Sequence, residues 1–243
     1  GPAMLNILKE TNFIIQLSEL GVILLMFSAG LDTDLNELKK TGKASFIIAL
    51  FGVLIPLIGG FLVAYLFSDL DLMKEATTNV LLQNIFIGVI LTATSVSITV
   101  EALKEMGKLN TSAGTAILGA AIIDDILGII ALTIISSMAD TSVNVGFVLL
   151  KIVAYFIFVI VIGITSHKAF DIWMKYENRD RRRFITAALV FCLLLSYVSE
   201  EIFGVADITG AFIAGLILSN VERKTYVASR LDILSYSLLS QVF

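Results

Sequence analysis

Two adjacent carboxylates, Asp124 and Asp125, stand in the middle of the apolar segment 113–138. An aspartate at the centre of a membrane helix opposes insertion by about 2.5–3.5 kcal/mol, so the pair opposes it by about 5–7 kcal/mol if the two costs add. The first four apolar segments contain no Lys or Arg that would neutralise either acid. The pair therefore predicts a functional site rather than a structural ion pair.

Helix geometry gives the two acids different directions. Neighbouring residues of an α-helix point about 100° apart, so Asp124 and Asp125 are not expected to hold one ion face to face. Burial beside a like charge favours the protonated form of at least one acid and couples their titrations. A carboxylate that holds either a proton or a hard monovalent cation carries out the elementary step of cation/proton exchange.

Five hydroxyl side chains fall within eight residues of the preceding apolar segment, 80–100: Thr92, Thr94, Ser95, Ser97 and Thr99. One interpretation is an interrupted helix, whose oxygen atoms and dipole ends would serve an ion. The other is that the hydroxyls bond back to their own helix or join neighbouring helices. The segment alone does not choose between them, and the nearby acid pair favours the first.

The elements that must position these residues are membrane helices. Of the 243 residues, 57% are hydrophobic and 16% are charged, whereas soluble domains have about 45–50% apolar and about 25% charged residues. A bilayer core of about 30 Å needs roughly 20 helical residues. The sequence predicts about seven spans: 13–31, 44–67, 80–100, 113–138, 147–165, 184–203 and 205–219. It thus excludes an ordinary soluble domain, and it predicts a lipid bilayer rather than nucleic acid as the partner.

The basic residues alternate between the two sides of these spans. Fourteen of the 17 Lys and Arg lie in the first, third and fifth connections and after the last span, and two lie on the opposite side. Because cytoplasmic loops are rich in Lys and Arg, the Gly1 end is predicted to lie outside the cytoplasm. The run 181–183 is interpreted as a topology anchor.

Other chemistries find little support in the sequence. It contains no glycine-rich phosphate loop, no metal-ligand cluster and no nucleophile beside a base, so neither an enzyme nor a bound cofactor is predicted. A cation channel would also use acids and hydroxyls, but the paired aspartates favour proton coupling over passive conduction. A membrane-anchored scaffold would need no intramembrane acids.

Several stretches carry a family resemblance. They are GPA at 1–3, FSAGLD at 27–32, TSVSIT at 94–99, AIIDDILG at 121–128 and GAFIAG at 210–215. With this spacing the chain resembles bacterial sodium/proton antiporters of the second family of monovalent cation/proton antiporters, which also contains potassium/proton exchangers. The resemblance covers nearly the whole chain.

The resemblance implies an all-α polytopic membrane protein with an inverted-repeat antiporter fold and interrupted helices. The chain would be a roughly seven-span fragment of it, incomplete at both ends and lacking the final spans. Residues 80–138 would hold the ion-site helices of a moving core domain, and 147–243 the linker and dimerisation-side helices. The implied protein is a homodimer in the plasma membrane that transports by an elevator-like motion.

The resemblance also implies roles for four residues. Asp125 and Asp124 would bind the monovalent cation, Na⁺ first, and the proton. Asp125 would be the carrier, and Asp124 would pair with a lysine beyond Phe243. Thr94 and Ser95 would lie at the interrupted helix. The double aspartate favours Na⁺ over Li⁺ and K⁺ as the transported cation, with potassium/proton exchange as the alternative.

Overall fold

The computed structural model describes residues 12–67, 80–139, 144–176, 181–219 and 221. Within them the secondary structure is helical, with no strand. The helices are α1 (Asn12–Asp32), α2 (Leu35–Leu66), α3 (Val80–Ile90), α4 (Val96–Glu105), α5 (Ser112–Ala139), α6 (Val145–Tyr176), α7 (Arg181–Glu201) and α8 (Asp207–Leu218).

Five of these helices are long and apolar enough to cross a membrane, namely α1, α2, α5, α6 and α7. Two shorter apolar helices, α3 and α8, lie within predicted spans. The predicted third span, 80–100, is not one continuous helix, because the chain leaves the helical path between α3 and α4. The apolar run 235–243 lies outside the described residues.

The ends of two helices differ from the predicted apolar segments. The second span begins at Leu35 rather than at 44, because the Asp34 side chain accepts a hydrogen bond from the Asn36 backbone N–H at 2.7 Å and so caps α2. The helix of the fifth predicted span, α6, continues past residue 165 to Tyr176. In both cases the helix extends through charged residues that a search for apolar residues leaves out.

The helices pack in two groups. In the α1/α7/α8 group, α8 lies against both α1 and α7. Its apolar core is fully enclosed and includes Phe27, Cys192 and Phe212. In the α2/α3/α5 group, α2 lies against both α3 and α5.

Glycines let backbones approach closely in both groups. A Cβ atom on Gly215 would lie 2.9 Å from the Cα of Gly30, and it would overlap the Phe27 carbonyl oxygen. In the second group, a Cβ on Gly60 would lie 2.9 Å from the Cα of Gly88. Small residues permit such crossings of membrane helices, where packing rather than the hydrophobic effect drives association.

Large apolar side chains point outward from the molecule, most clearly on α2 and α6. Ile55 of α2 is 64% exposed and Leu150 of α6 is also 64% exposed. An outer surface of this kind is costly in water and is suited to lipid.

Candidate functional site

Helix α5 places the two aspartates near its midpoint. The helix begins where the Thr111 hydroxyl accepts a hydrogen bond from the backbone N–H of Gly114 at 3.1 Å, which satisfies one of its free amides. The Ser45 hydroxyl of α2 donates to the Ala116 carbonyl oxygen at 3.0 Å. The first contact caps α5, and the second fixes it against α2 before the chain reaches Asp124 and Asp125.

The Asp125 carboxylate contacts α8. The Thr209 hydroxyl donates a hydrogen bond to its Oδ2 atom at 3.1 Å. Thr209 is 1% exposed and lies in the first turn of α8, just before the stretch 210–215. Asp125 is therefore held by a residue of the α1/α7/α8 group, although it belongs to the other group.

Asp124 faces different neighbours. The Thr94 hydroxyl lines the same cavity as its carboxylate and donates a hydrogen bond to the Thr92 carbonyl oxygen at 3.2 Å. The buried Oδ1 atom of Asp124 has no hydrogen-bond partner among the described residues. That atom points toward α2, where a Cβ built on Gly52 would lie 3.8 Å away. The two acids thus have separate neighbours, as the angle between neighbouring helix positions requires.

The helix break lies beside the acids. Helices α3 and α4 have 11 and 10 residues, so each spans about half of a bilayer core of about 30 Å. At the start of α4, Ser95 is extended, with φ −81° and ψ 103°, and its side chain makes no capping hydrogen bond. The amides of the first turn of α4 and the carbonyl end of α3 therefore present opposite partial charges at the break.

A cavity of about 390 Å³ lies between the break and α5. Its polar side chains are Thr92, Thr94, Asp124 and Asp125, and the rest of its lining is apolar. No Lys or Arg lines it, and neither carboxylate has a basic partner in the described part of the chain. Two acids and two hydroxyls in an otherwise apolar cavity form a set of oxygen atoms suited to a cation or a proton.

The structure brings three of the four predicted site residues together. Asp124, Asp125 and Thr94 line the cavity, whereas Ser95 is not among the lining residues, and its Oγ atom lies 3.4 Å from that of Ser97. The break itself supports the interpretation of the hydroxyl run as an interrupted helix. The roles of the four residues in transport remain predictions.

Sequence reasoning missed two contacts. Thr209 lies 84 positions from Asp125, and its only signal was a hydroxyl directly before a glycine-containing block. Gly52 of α2 has no side chain, which leaves room for Asp124 Oδ1. Neither the partner nor the direction of these contacts can be read from spacing along one helix.

Comparison with known families matches residues 1–243 to the family described as sodium/hydrogen exchanger, transmembrane. The chain belongs to this family. The family is one of transporters, and together with the apolar helices this identifies a multi-pass membrane protein. The predicted all-α polytopic class and the predicted family are both confirmed.

Curated relatives give the same result. The chain is 40% identical over 246 residues to the probable Na(+)/H(+) antiporter GerT of Bacillus cereus, covering 100% of this chain and 62% of the relative. It is 38% identical to the Na(+)/H(+)-K(+) antiporter GerN of the same organism, covering 100% and 60%. It is 36% identical to a Na(+)/H(+) antiporter of Enterococcus hirae, covering 93% and 57%. The chain thus spans about 60% of the length of these relatives.

Proposed function

We propose that the protein exchanges a monovalent cation, Na⁺ first, for protons across the membrane, with Asp125 as the carrier carboxylate. The observation that carries the proposal is the position of Asp125 at mid-helix, where it lines the cavity at the α3–α4 break and accepts a hydrogen bond from Thr209. The names of the relatives point to the same exchange. No bound cofactor is part of the proposal, since the cation and the proton are substrates.

Competition for one carboxylate would couple the two ions. A cation in the cavity would take oxygen ligands from Asp125, from the Thr94 hydroxyl and from backbone carbonyls at the break. Protonation of Asp125 would remove the negative charge that holds the cation. The cation and the proton would then bind alternately, which is what exchange requires.

Alternating access would move the two helix groups relative to each other. Among the described residues, two of the side-chain hydrogen bonds join the α1/α7/α8 group to α5 and α4: Thr209 donates to Asp125 at 3.1 Å, and Lys104 donates to the Ser28 hydroxyl at 3.1 Å. The tight crossing of α1 and α8 supports movement of the first group as one unit. The carrier carboxylate would thus exchange Thr209 for water during each cycle.

Transport in proteoliposomes tests the carrier role. Asp125→Asn cannot release a proton or supply charge, so we expect it to abolish sodium-dependent proton movement in the intact protein, measured with a trapped pH-sensitive dye. Glu201→Gln is the matched control, because Glu201 is an exposed carboxylate that does not line the cavity. Sodium-dependent dye signals of wild-type size in Asp125→Asn would remove Asp125 from the centre of the mechanism.

Potassium/proton exchange is the second candidate. It is favoured by the Na(+)/H(+)-K(+) antiporter GerN and by the K(+)/H(+) antiporter 1 of Saccharomyces cerevisiae, which is 31% identical over 212 residues. The same dye assay, run with Na⁺, Li⁺ and K⁺ in turn, compares the cations directly. A larger signal with K⁺ than with Na⁺ at equal concentration would replace the first candidate by the second.

We further propose that the protein lies in the plasma membrane with the Gly1 end outside, as the distribution of Lys and Arg predicts. Cysteines at Arg183 and Glu201, at opposite ends of α7, test this in a Cys192→Ser background, since Cys192 is the sole thiol of the chain. An impermeant maleimide added to intact cells should label position 201 and leave 183 unlabelled. The reverse pattern would invert the topology.

A homodimer completes the proposal. The resemblance implies it, and Leu194 and Tyr197 of α7, which are 58% and 62% accessible, are candidate contact residues. Native mass spectrometry of the detergent-purified protein should give twice the subunit mass. A monomer mass under conditions that preserve exchange would exclude the dimer as a requirement.

A further inference from the structure

A second cavity lies apart from the carboxylate site, between α2, α6 and α8. Its volume is about 570 Å³, within the range of about 300–1,000 Å³ that small-molecule sites occupy. Its walls are aliphatic side chains of α6 and α8, and its two charged residues are Lys39 of α2 and Lys168 of α6. We call it the lysine groove.

The groove is apolar along its length and basic at one end. Its α6 wall runs from Val159 to Lys168, a separation of nine positions that rises about 13.5 Å at 1.5 Å per residue. Val159 lies near the middle of α6, whereas Lys39 lies just over one turn from the start of α2 at Leu35. The groove therefore runs from the membrane interior to the end of the helices that the basic residues assign to the cytoplasm.

Gly163 deepens the groove at its centre. A Cβ atom built there would lie 3.6 Å from Cγ1 of Ile217 on α8, an ordinary contact distance. The absent side chain thus leaves space between α6 and α8 that a larger residue would fill.

The two lysines differ from their neighbour Lys40. Lys40 donates to Glu37 at 2.6 Å, one turn earlier on α2. Among the side chains that the structure describes, no acid pairs with Lys39 or Lys168, and both lysines are exposed. Two ammonium groups at the mouth of an apolar groove are complementary to a ligand with an anionic head and a hydrocarbon tail.

We propose that the lysine groove binds an anionic phospholipid of the cytoplasmic leaflet. The phosphate group lies between Lys39 and Lys168, and an acyl chain follows the aliphatic wall past Gly163. Basic pockets between membrane helices on the cytoplasmic side favour such head groups, and the apolar wall favours the chain over bulk water. The site uses none of the residues that line the carboxylate cavity, so it is independent of the transported ion.

Native mass spectrometry of the intact protein tests the charge requirement, with phosphatidylglycerol and phosphatidylcholine as probes. We expect phosphatidylglycerol to bind in preference, and the variant Lys39→Gln/Lys168→Gln to bind it about thirtyfold more weakly. The matched control Lys40→Gln/Lys43→Gln removes the same charge from exposed lysines outside the groove and should bind within about twofold of wild type. Equal weakening in both variants would overturn the site, since it would show a diffuse electrostatic effect.

A second variant tests the apolar part without altering charge. Gly163→Leu should displace phosphatidylglycerol, whereas Gly59→Leu, at a position where a Cβ meets nothing within 4 Å, should leave binding unchanged. Retained phosphatidylglycerol in Gly163→Leu would overturn the proposal. Equal binding of both lipids to the wild type would also overturn the proposal. So would binding of neither lipid, which would result if another part of the polypeptide filled the groove.

Discussion

The backbone is arranged in opposite ways in two regions of the molecule. It is closely packed where α1 crosses α8, and it leaves the helical path between α3 and α4. At the crossing, Gly30 and Gly215 bring two helices so close that a methyl group does not fit. At the break, the chain gives up helical hydrogen bonds for a cavity of about 390 Å³ beside Asp124 and Asp125. The crossing leaves no room for an added methyl group, whereas the break holds a cavity that is lined in part by polar side chains.

The difference shows where each part of the protein can tolerate change. A dry crossing depends on shape, so extra volume should damage it while leaving the chemistry of the cavity unaltered. The cavity depends on oxygen atoms and charge, so changes of equal volume should damage function with little loss of stability. Substitutions that separate volume from charge therefore test the comparison.

The largest effect is expected from the two acids, compared as Asp124→Asn and Asp125→Asn. If Asp125 carries the ion and Asp124 mainly pairs with a lysine outside this chain, Asp125→Asn should abolish the thermal stabilisation by Na⁺, and Asp124→Asn should retain part of it. Exchange in Asp124→Asn should persist with fewer protons per cation, because one titrating acid fewer takes part. Thermal unfolding with and without Na⁺, and transport at clamped membrane potential, measure these effects.

An identical loss of Na⁺ stabilisation in both variants would contradict this division of labour. It would instead favour one site in which both carboxylates bind the cation.

At the crossing of α1 and α8 we expect a substitution to reduce transport less than the acid variants do and to lower the thermal stability more. Gly215→Ala places a methyl group against the Phe27 carbonyl oxygen, and overpacking of this kind costs about 1–3 kcal/mol. Gly59→Ala is the control, since nothing lies within 4 Å of its Cβ position. Detergent thermal unfolding should show a lower Tm in Gly215→Ala alone; equal Tm values would mean that the helices separate at little cost.

The hydrogen bond between the groups should have an intermediate effect. Thr209→Val removes the donor to Asp125 Oδ2 at nearly constant volume. Loss of about 1 kcal/mol of hydrogen bonding corresponds to roughly a fivefold higher Na⁺ concentration for half-maximal transport. Thr209→Ser retains the hydroxyl and should remain close to wild type, so a Ser variant as impaired as the Val variant would assign the effect to packing.

The smallest effect is expected at the two adjacent hydroxyls of the break. Thr94 lines the cavity with Asp124, whereas Ser95 does not line it and makes no side-chain cap. Ser95→Ala should alter Na⁺ affinity by less than about 0.5 kcal/mol, and Thr94→Val should reduce it more. Isothermal titration with Na⁺ compares them, and a stronger effect at Ser95 would place its side chain in the ion site after all.

The sequence predicts those features that depend on local composition. The position of the acids follows from two charges within one apolar run, and α5 extends over 112–139 against the predicted 113–138. The exact break at 91–95 and the start of α2 at Leu35 depend on turn geometry and on the Asp34 cap, which hydropathy does not register.

Contacts between residues that are far apart in the chain could not be predicted from this sequence. Thr209 reaches Asp125 only because α8 packs against α1 and its first turn faces α5. Thr94 lines the cavity and Ser95 does not, because adjacent side chains of an extended backbone point to opposite sides. The direction in which the chain leaves α3 decides which of the two faces the cavity.

The glycine crossing also has a consequence for biosynthesis. Gly30 and Gly215 lie near opposite ends of the described chain, and ribosomes add about 5–20 residues per second. Helix α8 is therefore synthesised on the order of ten seconds or more after α1, and only then can it pack against Gly30 of α1. During that interval the Gly30 face of α1 lacks the helix that packs against it in the folded protein.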